Sequence, residues 1–373
     1  MPLIDMPDFS AELLDEFAAR KTVRMNTPVI QPAEPFLDMA GEDLRRRIFM
    51  TESETGASLC LRPEFTIPVC LRHIETATGT PKRYSYLGEV FRQRRDGSSE
   101  FYQAGIEDLG DTDIASADAR AISDATAILK RLLPGRRLVV TLGDQQVFEA
   151  VVAALGLPSG WQKRLVQAFG DTVQLEALLQ SLVSPKPMTG LDARVAGLLA
   201  TGEEKVLVDY IDSVMQDTGY STNASRAPQE IARRLREKLA LAATRLPDES
   251  FELLKQFLSL QAPLSQASQT LVEFADKAKL KLDGALSAFD ARVAALANGG
   301  LDLDAIIYGA AFGRPLDYYT GLVFEVGVEG EGAVLAGGGR FDRLMTLLGA
   351  KDKIPAVGFS LWLDRIEAVR AKP

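Results

Sequence analysis

The run KRYSYLGEVFRQRRDGSSEFYQAGIEDLG, residues 82 to 110, decides how the rest of the chain is read. Its arms, 82 to 94 and 100 to 110, are rich in tyrosine, phenylalanine and valine and predict two strands. RDGSS between them carries an Asp96-Gly97 turn signal, so the arms form a hairpin with charged and polar residues on both. An antiparallel sheet is therefore the starting point. Alternate side chains of a strand share a face, which puts Gln103, Gly105 and Glu107 together. Glycine in the middle leaves room for a small molecule to lie on the sheet. Buried charges are costly unless paired, so Glu107 and Arg92 either bond one another across the hairpin or await a ligand of complementary charge.

Upstream, residues 8 to 20 carry apolar positions at helical spacing, with Ser10 as the expected N-cap. VRMNTPVIQP is extended and punctuated by Pro28 and Pro32; SLCLRP, 58 to 63, is a short strand, and TIPVCLRHIET is helical with Pro68 in its first turn. Downstream, the pattern predicts a helix over 113 to 133, a strand at RRLVVTLGD and a helix ended by Gly156. Residues 157 to 265 then read as an inserted helical subdomain divided by prolines, followed by one long helix over roughly 266 to 298. AIIYGAAF, LVFEVGV and AVLAGGG return as strands, and PAVGFSLWLDRIEAV is expected to close the chain as a helix. The reading is α+β: a core in two parts, 1 to 156 and 266 to 373, interrupted by the helical block.

Composition narrows the function classes. The chain has 373 residues, a net charge of -9, two cysteines and one histidine. An acidic balance supplies no general field for a polyanion. Cys60 and Cys70 sit in apolar runs and read as buried thiols of a reducing compartment; His73 alone supports neither a catalytic triad nor a histidine-rich metal site. No export signal and no long apolar run is visible, which places the protein in the cytoplasm, off the membrane. No metal or cofactor is expected.

Polar side chains concentrate in five places: Glu64 and Thr66 in LRPEFT; Arg92 in GEVFRQRR; Gln103 and Glu107 in FYQAGIE; Arg314, Asp317, Tyr318 and Tyr319 in RPLDYYTG; and Arg340 and Arg365 in GGGRFDRL and LWLDRI. Each has a plainer alternative. Gln103 alone is a structural amide, the tyrosines are core or rim aromatics, both late arginines are surface charges, and Gly337 to Gly339 form a tight strand-to-helix turn with neither P-loop nor Rossmann spacing.

Taken in order, TPVIQPAEPF, LRPEFT, GEVFRQRR, FYQAGIEDLG, RPLDYYTGLVFEV and GGGRFDRLM resemble the catalytic core of histidyl-tRNA synthetase, a class II aminoacyl-tRNA synthetase, across nearly the whole chain outside the helical middle. The resemblance implies an antiparallel sheet flanked by helices, with dimerisation near TPVIQP. It also implies a histidine pocket in which Glu64 and Thr66 meet the amino group and Arg92 the carboxylate. Gln103 and Glu107 meet the amino group and its neighbours, while Arg314, Tyr318 and Tyr319 surround the imidazole and carboxylate, with Asp317 as support. Carboxylates complement an ammonium, arginines a carboxylate, and tyrosines give an aromatic wall with a hydroxyl.

The departures point elsewhere. Arg94 stands where motif 2 of the synthetases carries a glutamate serving ATP and its metal, Phe65 and Pro315 replace glycines, and Phe341 replaces a tyrosine. The chain stops at Pro373, which leaves the expectation of no anticodon-binding domain and no tRNA. It therefore also resembles the regulatory-subunit paralogues of that synthetase. Those have no activity of their own and assemble with the short-form catalytic ATP phosphoribosyltransferase, enabling the first step of histidine biosynthesis and its inhibition by histidine. A homodimer within a hetero-oligomer is what that family implies. Two alternatives stand beside it: an enzyme that adenylates histidine for a non-tRNA acceptor, and a bare scaffold without ligand.

Overall fold

The computed structural model describes residues 5–39, 44–95, 97–185, 192–218, 227–314 and 318–372. Nine strands form one sheet in the order β1-β5-β6-β12-β11-β10-β7-β9-β8. They are β1 (Val23–Arg24), β5 (Lys82–Phe91), β6 (Glu100–Leu109), β7 (Leu138–Asp144), β8 (Gln261–Pro263), β9 (Ile306–Gly309), β10 (Leu322–Val328), β11 (Val334–Arg340) and β12 (Ala356–Trp362). Pairing is antiparallel except for β1 with β5 and β7 with β9. A separate antiparallel sheet joins β2 (Ile30–Pro32), β4 (Ser58–Leu61) and β3 (Met50–Glu52).

The sheet is buried on both faces, and β6 shows why. Tyr102, Ala104 and Ile106 enter the core formed with helices Ile114–Leu132, Asp283–Asn298 and Leu363–Arg370. The alternate residues Gln103, Gly105 and Glu107 face the other side, where Tyr86, Tyr318, Tyr319 and Phe341 cluster. The hairpin expected from 82 to 110 forms, with Lys82 opposite Leu109 and Phe91 opposite Glu100. Its polar residues Ser85, Gln103, Glu107 and Asp108, however, lie inside the molecule, and Asp96 falls outside the described residues.

Other expectations are corrected. The segment 356 to 362 is strand, not helix: β12 lies between β6 and β11 near the middle of the sheet, buried on both faces, and only Leu363–Arg370 is helical. Alternation is not visible in a strand whose two faces are both covered. The long helix over 266 to 298 is two helices, Leu264–Ala278 and Asp283–Asn298. Lys279 reverses the chain at φ 53°, the Leu280 N–H donates back to the Ala275 carbonyl, and Leu282 tucks into the core. A left-handed lysine gives no sequence signal of the kind glycine gives. Gly337 to Gly339 are mid-strand residues of β11, so they form neither a turn nor an anion cradle. Ser10 is the first helical residue and donates its hydroxyl to the Pro7 carbonyl rather than capping the helix. Arg340 is a buried charge, and His73 is buried with its Nδ1 3.0 Å from the Tyr84 hydroxyl.

The described part of the block holds helices Ser159–Gln167, Thr172–Val183, Ala193–Thr201, Glu204–Asp217, Pro228–Ala243 and Asp248–Leu258, after which β8 rejoins the main sheet beside β9. Trp161, Leu165, Leu175 and Leu179 of this block share the main core, whereas Leu199, Leu207, Ile211 and Met215 form a small core of their own. Among the described residues no helix is long and apolar enough to cross a membrane.

A buried ionic network pins the sheet to its helices. Asp118 accepts from Arg292 Nε at 2.8 Å and from Arg340 Nε at 2.8 Å, and Arg292 Nη1 also donates to Asp144 at 2.6 Å. All four side chains are at most 4% exposed. Removing one partner from such a set strands a buried charge, so Arg292→Ala is expected to lower stability by about 3–5 kcal/mol. Urea denaturation checks this, and a loss below about 1 kcal/mol would show that water replaces the guanidinium.

Candidate functional site

Cross-strand register builds the floor of the site. Tyr86, Gly105, Ser360, Gly337 and Glu325 lie side by side across β5, β6, β12, β11 and β10. One step along, Tyr84, Glu107, Gly358, Gly339 and Val323 do the same. Glycines leave this face bare. The space over Gly105, expected to take a ligand, is filled by Tyr86, whose hydroxyl would lie 2.3 Å from an added Cβ. The vacancy lies instead over β11 and β12.

There a cavity of about 120 Å³ is lined by Glu64, Thr66, Arg92, Gln103, Arg314, Tyr318 and Tyr319, which are seven of the eight site residues predicted from the sequence. The eighth, Glu107, is absent from the lining and lies behind Thr66, whose hydroxyl donates to its Oε1 at 2.7 Å. Arg47, Gly358, Ser360, Phe341 and Trp362 complete the wall. A strand reading of AVGFSLW would have found Gly358, Ser360 and Trp362; nothing in the sequence marks Arg47. Asp317 and Pro315 lie outside the described residues.

Local structure fixes each group. Glu64 accepts from the Thr66 and Ile67 N–H groups at 2.6 and 2.9 Å, so its carboxylate caps helix Thr66–Glu75. Burial pushes that carboxyl up, against the pull of those two donors and Arg92. Arg92 Nε donates to the Pro63 carbonyl at 2.6 Å, and burial brings the guanidinium down to about 10. Arg92 therefore does not pair with Glu107. Arg314 lies across Gly337, where an added Cβ would meet Nη1 at 1.5 Å. It faces Glu325 at 3.6 Å and the Phe324 carbonyl at 3.4 Å. Tyr318 and Tyr319 meet at 5.1 Å between ring centroids, and burial pushes the Tyr319 hydroxyl up to about 12.

Among the described residues, Gln103 Oε1, Glu107 Oε2 and Arg314 Nε are buried on this side of the sheet with no hydrogen-bond partner. Such groups are costly to leave unmade, and here they comprise an amide acceptor, a carboxylate oxygen and a guanidinium donor. Together they match a small molecule bearing both an N–H cation and a carboxylate. The neighbouring departures are spent internally. Arg94 Nη1 binds Asp364 at 2.8 Å and its guanidinium lies 3.5 Å over the Phe101 ring. Phe65 stacks on Tyr86 at 4.4 Å, beside the cavity rather than in it.

Comparison with known proteins agrees with this architecture. The family model described as histidyl-tRNA synthetase matches residues 7–207 and 205–366. An ATP phosphoribosyltransferase regulatory subunit of Agrobacterium fabrum (strain C58) is 85% identical over 370 residues, covering 99% of each chain. One from Rhizobium rhizogenes (strain K84) is 74% identical over 371 residues, covering 100% of both. A solved structure of an ATP phosphoribosyltransferase regulatory subunit/histidyl-tRNA synthetase from Bacillus halodurans superposes with a TM-score of 0.65 at 18% identity. It covers 98% of this chain and 81% of that one, and the likeness speaks for the fold.

Glu107 gives the site a measurable pH signature. Burial first, and Glu64 second among the raising influences, hold its carboxyl well above the usual range, against the Thr66 and Tyr86 hydroxyls. The folded state therefore binds this proton more tightly than the unfolded chain. The stability it contributes is complete below the unfolded value of about 4.3 and is lost as pH rises toward the folded one. Glu107→Gln removes that loss. Its melting temperature relative to the parent chain should climb steadily from pH 4.5 to pH 7.5 in thermal scans; a pH-independent difference would contradict this.

Proposed function

The chain belongs to the family of ATP phosphoribosyltransferase regulatory subunits, which carry the histidyl-tRNA synthetase fold, and from that premise we propose that its cavity is a histidine pocket kept for feedback control. In this reading the chain assembles in the cytoplasm with the short-form catalytic ATP phosphoribosyltransferase, enables the first step of histidine biosynthesis and carries inhibition by histidine to its partner. One observation supports it above the rest: Gln103 Oε1 and Arg314 Nε are buried and unpartnered on the wall of one cavity that two tyrosines also line, and Glu107 Oε2, likewise unpartnered, lies behind Thr66 over Gly358 of the floor. A zwitterionic aromatic amino acid answers all of these at once. Regulation further requires that histidine bind one state of the complex more tightly than another, since equal affinity shifts nothing.

Adenylation of histidine is disfavoured by Arg94. Its guanidinium, held by Asp364 and Phe101, puts a cation where the synthetases place a carboxylate for the metal of ATP. Co-expressed with a short-form ATP phosphoribosyltransferase, the chain is expected to co-purify and to make turnover histidine-sensitive; separate elution would remove the proposal. In the same assay Arg314→Ala should raise the histidine concentration for half-inhibition by at least about 30-fold, from losing a buried carboxylate partner. The complex should still elute as one species.

The chain also self-associates in this reading, through the small sheet. Val29 and Ile30, at the start of one outer strand, and Met50, on the other, are 38%, 55% and 48% exposed, large apolar side chains that a second copy would cover. Ile30→Glu with Met50→Glu should halve the mass of the isolated chain in sedimentation, while an unchanged mass would place the contact elsewhere.

A further inference from the structure

Glu107 is laid on Gly358 of β12, where an added Cβ would fall 1.7 Å from Oε2. Oε1 takes the Thr66 hydroxyl; Oε2 is buried without a partner. The groups facing it from each packed element are uncharged or acidic. Helix Thr66–Glu75 and the turn before it bring Thr66, Cys70 and Glu64. β5 brings Tyr84 across the ladder and Tyr86, whose hydroxyl is shared with Ser360 of β12. The segment before β10 brings Tyr318 and Tyr319. Of the cations on the cavity wall, Arg92 is held by the Pro63 carbonyl, Arg314 lies against the Phe324 carbonyl and Glu325, and Arg47 is itself engaged. An ionised Glu107 in the empty pocket would thus sit desolvated, beside a second carboxylate and with no ion pair of its own.

We propose that Glu107 is a neutral acid in the empty pocket and that the ammonium of histidine, already charged in solution, expels its proton, so that capture of the ligand is coupled to proton release. The O–H bond at Oε2 breaks, the proton passes to solvent, and the carboxylate so formed accepts an N–H from the ligand. No electron is transferred. The proposal rests on the reading of the cavity as a histidine pocket. Its consequence is that histidine binds more weakly as pH falls, and feedback inhibition eases on acidification.

Calorimetric titration of the full chain with histidine at pH 7.5, in phosphate and in Tris, reads the proton count from the difference in observed heat. The expected result is release of about one proton per site. The imidazole of free histidine is already mostly neutral at that pH and cannot be its source. Glu107→Gln should bind without that release. If this variant does not fold, the parent chain alone decides: its affinity should rise several-fold from pH 6.5 to pH 7.5 with matching proton release in both buffers. Binding by the parent chain with no proton release overturns this proposal alone; no binding at all overturns the histidine pocket and this coupling with it.

Discussion

A single buried carboxylate, Asp118, receives hydrogen bonds from two guanidinium groups that come from distant parts of the chain. Arg292 arrives on helix Asp283–Asn298, after the helical block, and Arg340 arrives at the end of β11. Arg292 continues to Asp144, which caps helix Gln145–Ala154, and Arg340 continues to Asp342. The sheet, its helical layer and the segment with the two tyrosines are thereby tied at one place, because the Arg340 carbonyl also accepts from the Thr320 N–H at 2.8 Å. Buried ion pairs are poor sources of net stability compared with apolar packing, yet they tolerate only one arrangement of their partners. Here that arrangement sets where Tyr318 and Tyr319 stand over the sheet.

The pocket depends in turn on what the floor lacks. Gly337 accommodates the Arg314 guanidinium and Gly358 the Glu107 carboxylate, so the positive and the negative group each rest on a residue without a side chain. Any Cβ there would overlap the charged group itself. This is a different use of glycine from turns and caps, where backbone freedom is the reason for it.

Much of this was legible in the sequence. The 82 to 110 hairpin has two arms of strand-forming residues, and the recurring family segments place seven residues around one cavity. The failures share a physical cause: the local pattern does not record what covers a segment. β12 reads as helix because both of its faces are buried and its alternation is lost. The reversal at Lys279 is made by a residue with no preference for that conformation, and Arg340 looks like a surface charge until Asp118, more than two hundred residues away, is brought beside it. Gly105 leaves its face of the strand bare, but space on a sheet belongs to whichever neighbour reaches it first, and Tyr86 takes the place expected for a ligand.

The place of β12 in the sheet bears on how the protein is made. It pairs with β6 on one side and β11 on the other, near the middle of the nine-stranded order, yet it is the last strand in the chain. A nascent chain that has not yet delivered it carries two open strand edges facing one another, one of them the edge bearing Gln103 and Glu107. Sheet closure is therefore a late event with long sequence separation, slow by its topology. Until then these open edges, with their unpaired backbone groups, are the part of the protein most available to pair with another chain.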